Sequence, residues 1–329
     1  MNIIQGDCRE KLKELPDESI DCIVTSPPFW RLRDYGTAQW KGGNPDCNHT
    51  INDGTIDPKK GTMVERPDRS SDRTKCIKCG AKRIDSQLGL EKKITDYVNN
   101  LADIFDECKR VLKKTGTAWL NIGDSYATNG IYIGTYLKKH PKHKDLHTDN
   151  STRYPQKLKG YRNEKENIKA KDLCLIPFRV ALELQQRGWY VRSDIIWAKP
   201  NPMPESIKDR PTKSHEHIFL LSKSKNYHYD IDAIKEPVVE SSKKLQMLPG
   251  VGGKKYGNSK DKHHLTKSGL KVKNRMVRNK RDVWTITTKP YKEAHFATFP
   301  KDLIEPCIKA GCPEGGVVLD PFAGSGTVG

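Results

Sequence analysis

The stretch Ile20-Asp21-Cys22-Ile23-Val24-Thr25-Ser26-Pro27-Pro28-Phe29-Trp30 decides how this chain is read. Its first five residues form a short apolar run of strand length, which reads as a buried strand. The run ends in a hydroxyl, two prolines and two aromatics. Proline fixes φ and carries no N–H, so the turn is rigid and presents carbonyl acceptors with no competing donor beside them. Such an edge suits a flat ring bearing an amino group, with acceptors for the amine and an aromatic face for the ring. The same letters also fit a strand that simply stops at prolines, because Pro-Pro is a common loop signal.

Working outward, strands and helices alternate. A first strand is expected at 2–5, ending in Gly6-Asp7, then a short helix near 9–15 and a strand at 19–25. Ile94, Tyr97, Val98, Leu101, Ile104, Phe105, Cys108, Val111 and Leu112 recur at spacings of three and four, predicting one amphipathic helix over 94–112. Strands follow at 117–122 and, after an amphipathic helix over 172–187 closed by Gly188, at 191–197 and 215–221. A helix over 300–310 precedes a strand at 316–320. This alternation predicts an α/β fold, a doubly wound and mainly parallel sheet. In such sheets ligands sit at the carboxyl ends of strands, where Asp7, Ser26–Phe29, Asp124, Lys199 and Asp320 all fall.

Three segments interrupt the pattern. Residues 40–86 are polar, rich in Gly, Pro and Asp, and hold Cys47-x-His49 and Cys76-x-x-Cys79. The second pair, followed by Gly80, has zinc-knuckle spacing, and the first pair could complete a tetrahedral structural Zn2+ site. Cys-x-His is tighter than the usual spacing, and surface thiols remain the alternative. Residues 131–170 hold 10 basic and 4 acidic side chains, and residues 236–282 hold 13 and 4. Together they carry most of the formal net charge of +18. A basic surface gathered into two insertions suggests a polyanion partner, such as nucleic acid, although solvated loops have the same composition. Nine cysteines without an export signal at the N-terminus point to a reducing, cytoplasmic setting rather than a disulfide framework. No apolar run is long enough to cross a membrane.

The chain ends in a strand, an acid and a glycine turn: Asp320-Pro321-Phe322-Ala323-Gly324-Ser325-Gly326-Thr327, then Val328-Gly329. Gly324, Gly326 and Gly329 formally fit G-x-G-x-x-G, but the helix, strand and acidic residue of a dinucleotide site do not follow. What remains is a turn that lets backbone approach a small cofactor beside a strand-end carboxylate.

These motifs together resemble the DNA amino-methyltransferases that act on cytosine N4 or adenine N6. Asp320–Thr327 looks like their S-adenosylmethionine motif, and Thr25-Ser26-Pro27-Pro28-Phe29 looks like their catalytic motif. Catalytic motif first and cofactor motif last is the permuted, beta-type order. His295-Phe296-Ala297-Thr298-Phe299-Pro300 resembles the segment that holds the cofactor's methionine end. Gly6-Asp7 resembles the acidic strand end near the adenine, and Trp119–Asp124 and Trp197–Asn201 match scaffold strands. The resemblance implies a Rossmann-like methyltransferase fold acting on double-stranded DNA in a bacterial or phage setting, with or without a cognate restriction nuclease. It implies catalytic roles for Ser26, Pro27, Pro28 and Phe29, with Trp30 as a second stacking ring. Cofactor contacts would come from Asp7, Phe296, Thr298, Phe299, Asp320, Pro321, Phe322, Ala323, Gly324, Ser325, Gly326 and Thr327. Ser-Pro-Pro tends to mark cytosine-N4 enzymes, so cytosine is the expected base and adenine the alternative. The family normally continues with a helix and a strand whose acid binds the cofactor ribose, so the C-terminal part of the fold is expected to be missing here. That keeps an inactive, zinc-bearing DNA-binding module as an alternative reading. The implied organisation is a catalytic part at 1–39, a zinc-type insertion at 40–86, a core at 87–235, a target-recognition segment at 236–283 and a cofactor part at 284–329.

Overall fold

The structure is a computed structural model that describes residues 2–32, 35–49, 75–127, 168–238, 277–288, 299–324 and 326–329. Most of 131–170 and of 236–283, the loop joining the two cysteine pairs, and the candidate residues Phe296, Thr298 and Ser325 lie outside the described residues. In chain order the elements are α1 (Cys8–Lys11), β1 (Ile20–Thr25), β2 (Gln39–Lys41), β3 (Lys82–Ile84), α2 (Ile94–Val111), β4 (Leu112–Ile122), α3 (Ile176–Gln186), β5 (Tyr190–Ala198), β6 (His215–Ser222), β7 (Glu236–Pro237), β8 (Val277–Arg278), β9 (Val283–Thr285), α4 (Lys301–Gly311) and β10 (Val318–Leu319). No helix among the described residues is long and apolar enough to cross a membrane.

The contacts divide the chain into two units. One comprises Met1–Thr25, Cys108–Asn121 and Trp189–Gly329; the other comprises Ser26–Glu107 and Ile122–Gly188. The first unit holds a six-stranded sheet of order β10-β1-β4-β6-β5-β9. Strand β1 runs parallel to both β10 and β4, β5 runs parallel to β9, and β5 and β6 are antiparallel. The expected α/β, mainly parallel sheet is thus present, with one antiparallel pair described within it. Every residue of β1 is buried, as a central strand covered on both faces requires.

Burial of β1 makes Asp21 a problem that its neighbours solve. Its carboxylate accepts two bonds from Lys113 Nζ, at 2.8 and 2.9 Å, and one from the Val317 amide at 2.9 Å. A buried acid without such partners would cost several kcal/mol. Here it pins β1 to β4 and to the residue leading into β10.

Helix α4 covers this sheet through Leu303, Ile304, Cys307 and Ala310, which pack with Cys22, Val24, Trp119, Trp197, Ile218 and Trp284. Gly311 is where α4 meets β4. A Cβ there would lie 2.3 Å from both Thr117 Oγ1 and Trp119 Nε1, so only glycine permits that approach.

Several expectations are revised. Residues 2–5 are exposed and form no strand; the first regular element is the short helix after Asp7. Three or four residues with no covered face have nothing to pair with. Strand β4 begins five residues earlier than Thr117, directly after α2. Helix α3 starts at Ile176 rather than Asp172, because Leu175 sits in the left-handed region at φ 56°. Strands β2, β3 and β9 were not legible in the sequence, being only three residues each.

Candidate active site

Strands β1 and β10 are parallel and in register at Cys22–Val318 and Ile23–Leu319, so their carboxyl ends coincide. There the Thr25 hydroxyl donates to Asp320 Oδ1 at 2.5 Å, and the Phe322 amide donates to the same oxygen at 3.0 Å. Both bonds favour the carboxylate, yet burial outweighs them and pushes Asp320 from the usual 3.8 up to about 6. A strand-end acid held this dry is poised to meet positive charge. After it, Pro321 and Phe322 are half-buried, and Ala323 and Gly324 are exposed. Gly324 and Gly326 take positive φ, 51° and 74°. The turn closes through Gly326 N–H to the Ala323 carbonyl at 2.7 Å. Thr327 is half-buried, and Phe299 packs against the core under α4.

The turn Ser26–Phe29 begins one residue beyond Thr25. It belongs to the second unit and is held there from three directions. The buried Tyr97 of α2 donates its hydroxyl to the Pro28 carbonyl at 3.0 Å. Burial pushes that phenol above its ordinary range, so it remains a donor. Gly89 passes against the turn with φ 94°, where an added Cβ would lie 3.0 Å from the Phe29 carbonyl oxygen. The Arg31 amide donates to the Gly89 carbonyl at 2.6 Å. Within the turn, Pro27 is buried, while Ser26, Pro28 and Phe29 are half-buried. Trp30 departs from its expected role as a stacking ring. It is buried, and its indole N–H donates to the Glu91 carbonyl at 3.0 Å. It anchors the turn and leaves Phe29 as the aromatic face.

Three other residues that the sequence placed at strand ends are engaged, although among the described residues no strand precedes Asp7. Asp7 caps α1 by accepting from the Arg9 amide at 3.0 Å and pairs with the Arg9 guanidinium, whose hydrogen bond holds its carboxyl below the usual range. Asp124 accepts from the Ser125 and Ile176 amides at 2.8 and 3.1 Å, satisfying the start of α3. Lys199 pairs with Glu216, itself bonded to Asn121, and lies 4.1 Å from the Trp197 ring centre. Tyr97, Gly89 and Glu91 were missed as site residues because their signals were those of helix core and loop.

Cys47, His49, Cys76 and Cys79 come together, their ligand atoms all within 4.8 Å of one another. Cys47 Sγ lies 3.9 Å from Cys76 Sγ, and Cys79 Sγ lies 3.2 Å from His49 Nδ1. The Gly80 amide donates to the Cys76 carbonyl at 2.9 Å with Gly80 at φ 73°, a knuckle turn. The Trp40 ring lies tilted against the His49 ring, their centres 4.8 Å apart.

Replacing Tyr97 with Phe removes one hydroxyl and with it the hydrogen bond to the Pro28 carbonyl. The expected loss is about 1–3 kcal/mol of unfolding free energy, read from denaturant melts of the two proteins.

Comparison with known proteins shows the family. The family model described as DNA methylase, for N6 and N4 enzymes, matches residues 20–329. The type II methyltransferase M.SmaI of Serratia marcescens is 39% identical over 328 residues, 99% of this chain and 80% of its own length. M.Cfr9I of Citrobacter freundii is 38% identical over 327 residues, 99% of this chain and 78% of its own. Among solved structures, the PvuII DNA methyltransferase (cytosine-N4-specific) aligns over 98% of this chain and 74% of its own at 17% identity, with a TM-score of 0.49. On the sequence matches, which span nearly the whole chain, this protein belongs to the N6/N4 DNA methylase family of S-adenosylmethionine-dependent DNA amino-methyltransferases.

Proposed function

We propose that this enzyme methylates the exocyclic N4 amine of cytosine within a specific duplex site. The observation that carries the reading is the anchored Ser26-Pro27-Pro28-Phe29 turn, which starts one residue after the strand end bonded to Asp320. An exocyclic amine is a weak nucleophile because its lone pair delocalises into the ring. The Ser26 hydroxyl and the Pro27 carbonyl accept its two N–H bonds and draw the nitrogen toward tetrahedral geometry. Phe29 stacks on the extruded base and offsets part of the few kcal/mol that unstacking costs. With the Pro28 carbonyl already taken by Tyr97, the turn is fixed before substrate arrives, and positioning supplies much of the rate. No strong base is needed, since the methylated ammonium product is acidic. S-adenosylmethionine, when bound, supplies an electrophilic methyl on a sulfonium.

The residues fit that cofactor. Asp320 offers a dry carboxylate for its cationic end, and Pro321–Thr327 offers open backbone at two positive-φ glycines. Phe296, Thr298 and Phe299 are assigned to its methionine end. Asp7 is assigned to the adenosine side, through the lone pairs that Arg9 does not use. The basic segment within 236–283 is assigned to target recognition, with 131–170 assisting, on the strength of their charge. The type II names of the relatives favour a companion restriction nuclease. The family match supports an active enzyme over a bare binding module. The remaining alternative is adenine N6.

The Cys47–His49–Cys76–Cys79 cluster is assigned to a structural zinc ion. Tetrahedral zinc with sulfur at about 2.3 Å and nitrogen at about 2.0 Å sets ligand edges of roughly 3.5–3.8 Å, close to the 3.9 and 3.2 Å observed. All four positions are filled by protein, so the ion would brace the fold.

Three outcomes follow. Nucleoside mass analysis of DNA treated with the enzyme shows N4-methylcytosine, and Ser26→Ala loses the mark while retaining duplex binding; N6-methyladenine would reassign the base. Calorimetric affinity for S-adenosylmethionine falls by up to about tenfold per unit as pH drops below about 6, because protonating Asp320 removes the charge that meets the cation. Asp320→Asn flattens that profile. Without cofactor the sign reverses. A folded-state value raised above 3.8 means that protonation favours the fold, and this contribution fades as pH rises through about 6. Metal analysis finds about one zinc per chain, and Cys76→Ser loses it together with part of the melting temperature.

A further inference from the structure

We propose that the metal-braced ribbon β2–β3 is a second DNA-binding element, an arm that grips duplex phosphates beside the methylated base. Described residues between Arg31 and Lys41 bond across to described residues between Lys82 and Gly89. The Arg31 amide bonds the Gly89 carbonyl, the Tyr35 amide bonds Gln87 Oε1 at 2.7 Å, and the Thr37 hydroxyl bonds Asp85 at 3.3 Å. The antiparallel pairs Gln39–Ile84, Trp40–Arg83 and Lys41–Lys82 then continue the ladder to the cysteine cluster. Both the turn and the ribbon lie within the second unit, so the metal site caps a stem that grows directly out of the catalytic loop.

The charge on that stem is arranged in a row. Lys41 stands opposite Lys82, and Lys82 is bridged on its other side to Lys75. Directly opposed residues of antiparallel strands project from the same face, so the three lysines share one face of the ribbon. Trp40 and Arg83 alternate to the other face, and Trp40 meets the metal ligand His49 there. Lys41 and Lys82 are exposed, and no carboxylate among the described residues pairs with either. Like charges directly opposed weaken a strand pair by a few tenths of a kcal/mol or more. A metal that braces the ribbon from behind lets it carry that repulsion, and a polyanion in front removes it. The ten residues from Arg31 to Lys41 reach at most about 35 Å, roughly one turn of duplex. The row can therefore meet phosphates within one turn of the target base. Contacts of this kind position the enzyme and carry no sequence information.

This inference rests on the DNA-methylating reading, and the test separates the two. The full chain with zinc bound is compared with Lys41→Gln/Lys82→Gln and with a control, Lys13→Gln/Lys309→Gln. The control removes two exposed charges already paired with Glu10 and Glu305. Affinity is measured for a duplex carrying the methylated site and for an unrelated duplex across a salt series. The ribbon variant is expected to weaken both by a similar factor, roughly tenfold, and to lower the salt slope by about two, with zinc content and melting temperature unchanged. The control retains the wild-type slope. A ribbon variant with the wild-type slope, or a control that loses as much, overturns the proposal while leaving methylation standing. A wild-type chain that fails to methylate DNA overturns the underlying reading instead. Lys82→Glu supplies a second readout: a folded, zinc-loaded protein with a larger loss on both duplexes supports the arm, and wild-type binding by it refutes the arm.

Discussion

The hydrogen bond from Thr25 to Asp320 fixes the carboxyl ends of β1 and β10 against each other, and the sheet edge that carries the glycine turn depends on it. It joins residues 295 positions apart, at the coincident ends of two parallel strands. One of those strands leads into the proline turn and the other into the glycine turn. Because Asp320 is desolvated, the bond is made in a low-dielectric setting where a hydroxyl donor counts for more than in water. The acid is nevertheless left above its ordinary range, so burial dominates and the site retains an unmet demand for positive charge. Under the proposed reading, a cationic cofactor meets that demand.

Rigidity around the Ser26–Phe29 turn comes from elements outside it. Proline restricts φ but fixes neither the direction of a carbonyl nor the position of the loop. Tyr97, Gly89 and Trp30 do that, through a buried phenol, a close backbone approach and a buried indole bond. All three are spent on geometry, and under the proposed reading Ser26, Pro27 and Phe29 are left for the base. The same segment leads on to the paired ribbon that carries the Cys47–His49–Cys76–Cys79 cluster.

The motifs proposed for the active site stand out in the sequence because the chemistry proposed for them depends on residue type. A carboxylate before Pro321-Phe322, glycines where φ is positive, and Ser-Pro-Pro after a buried strand carry their meaning in the letters. The long helix α2 was legible because its apolar spacing repeats for five turns. Residues acting through position left no such mark. Tyr97 reads as core, Gly89 as loop, and Trp30 reads as a free aromatic although its indole is buried. Short strands such as β2, β3 and β9 are three residues long, too short for any period to show.

By itself the sequence determined the alternation of strands and helices, the order of the two motifs, the four metal-type ligands and the excess of positive charge, since each follows from local chemistry or short-range period. Tertiary structure alone decided that Thr25 meets Asp320, that Asp21 can lie in a buried strand because Lys113 and the Val317 amide satisfy it, and that two ligand pairs form one cluster. It also decided that Lys41, Lys82 and Lys75 stand in a row. These are contacts between residues distant along the chain, set by strand register and burial, and no local pattern encodes them.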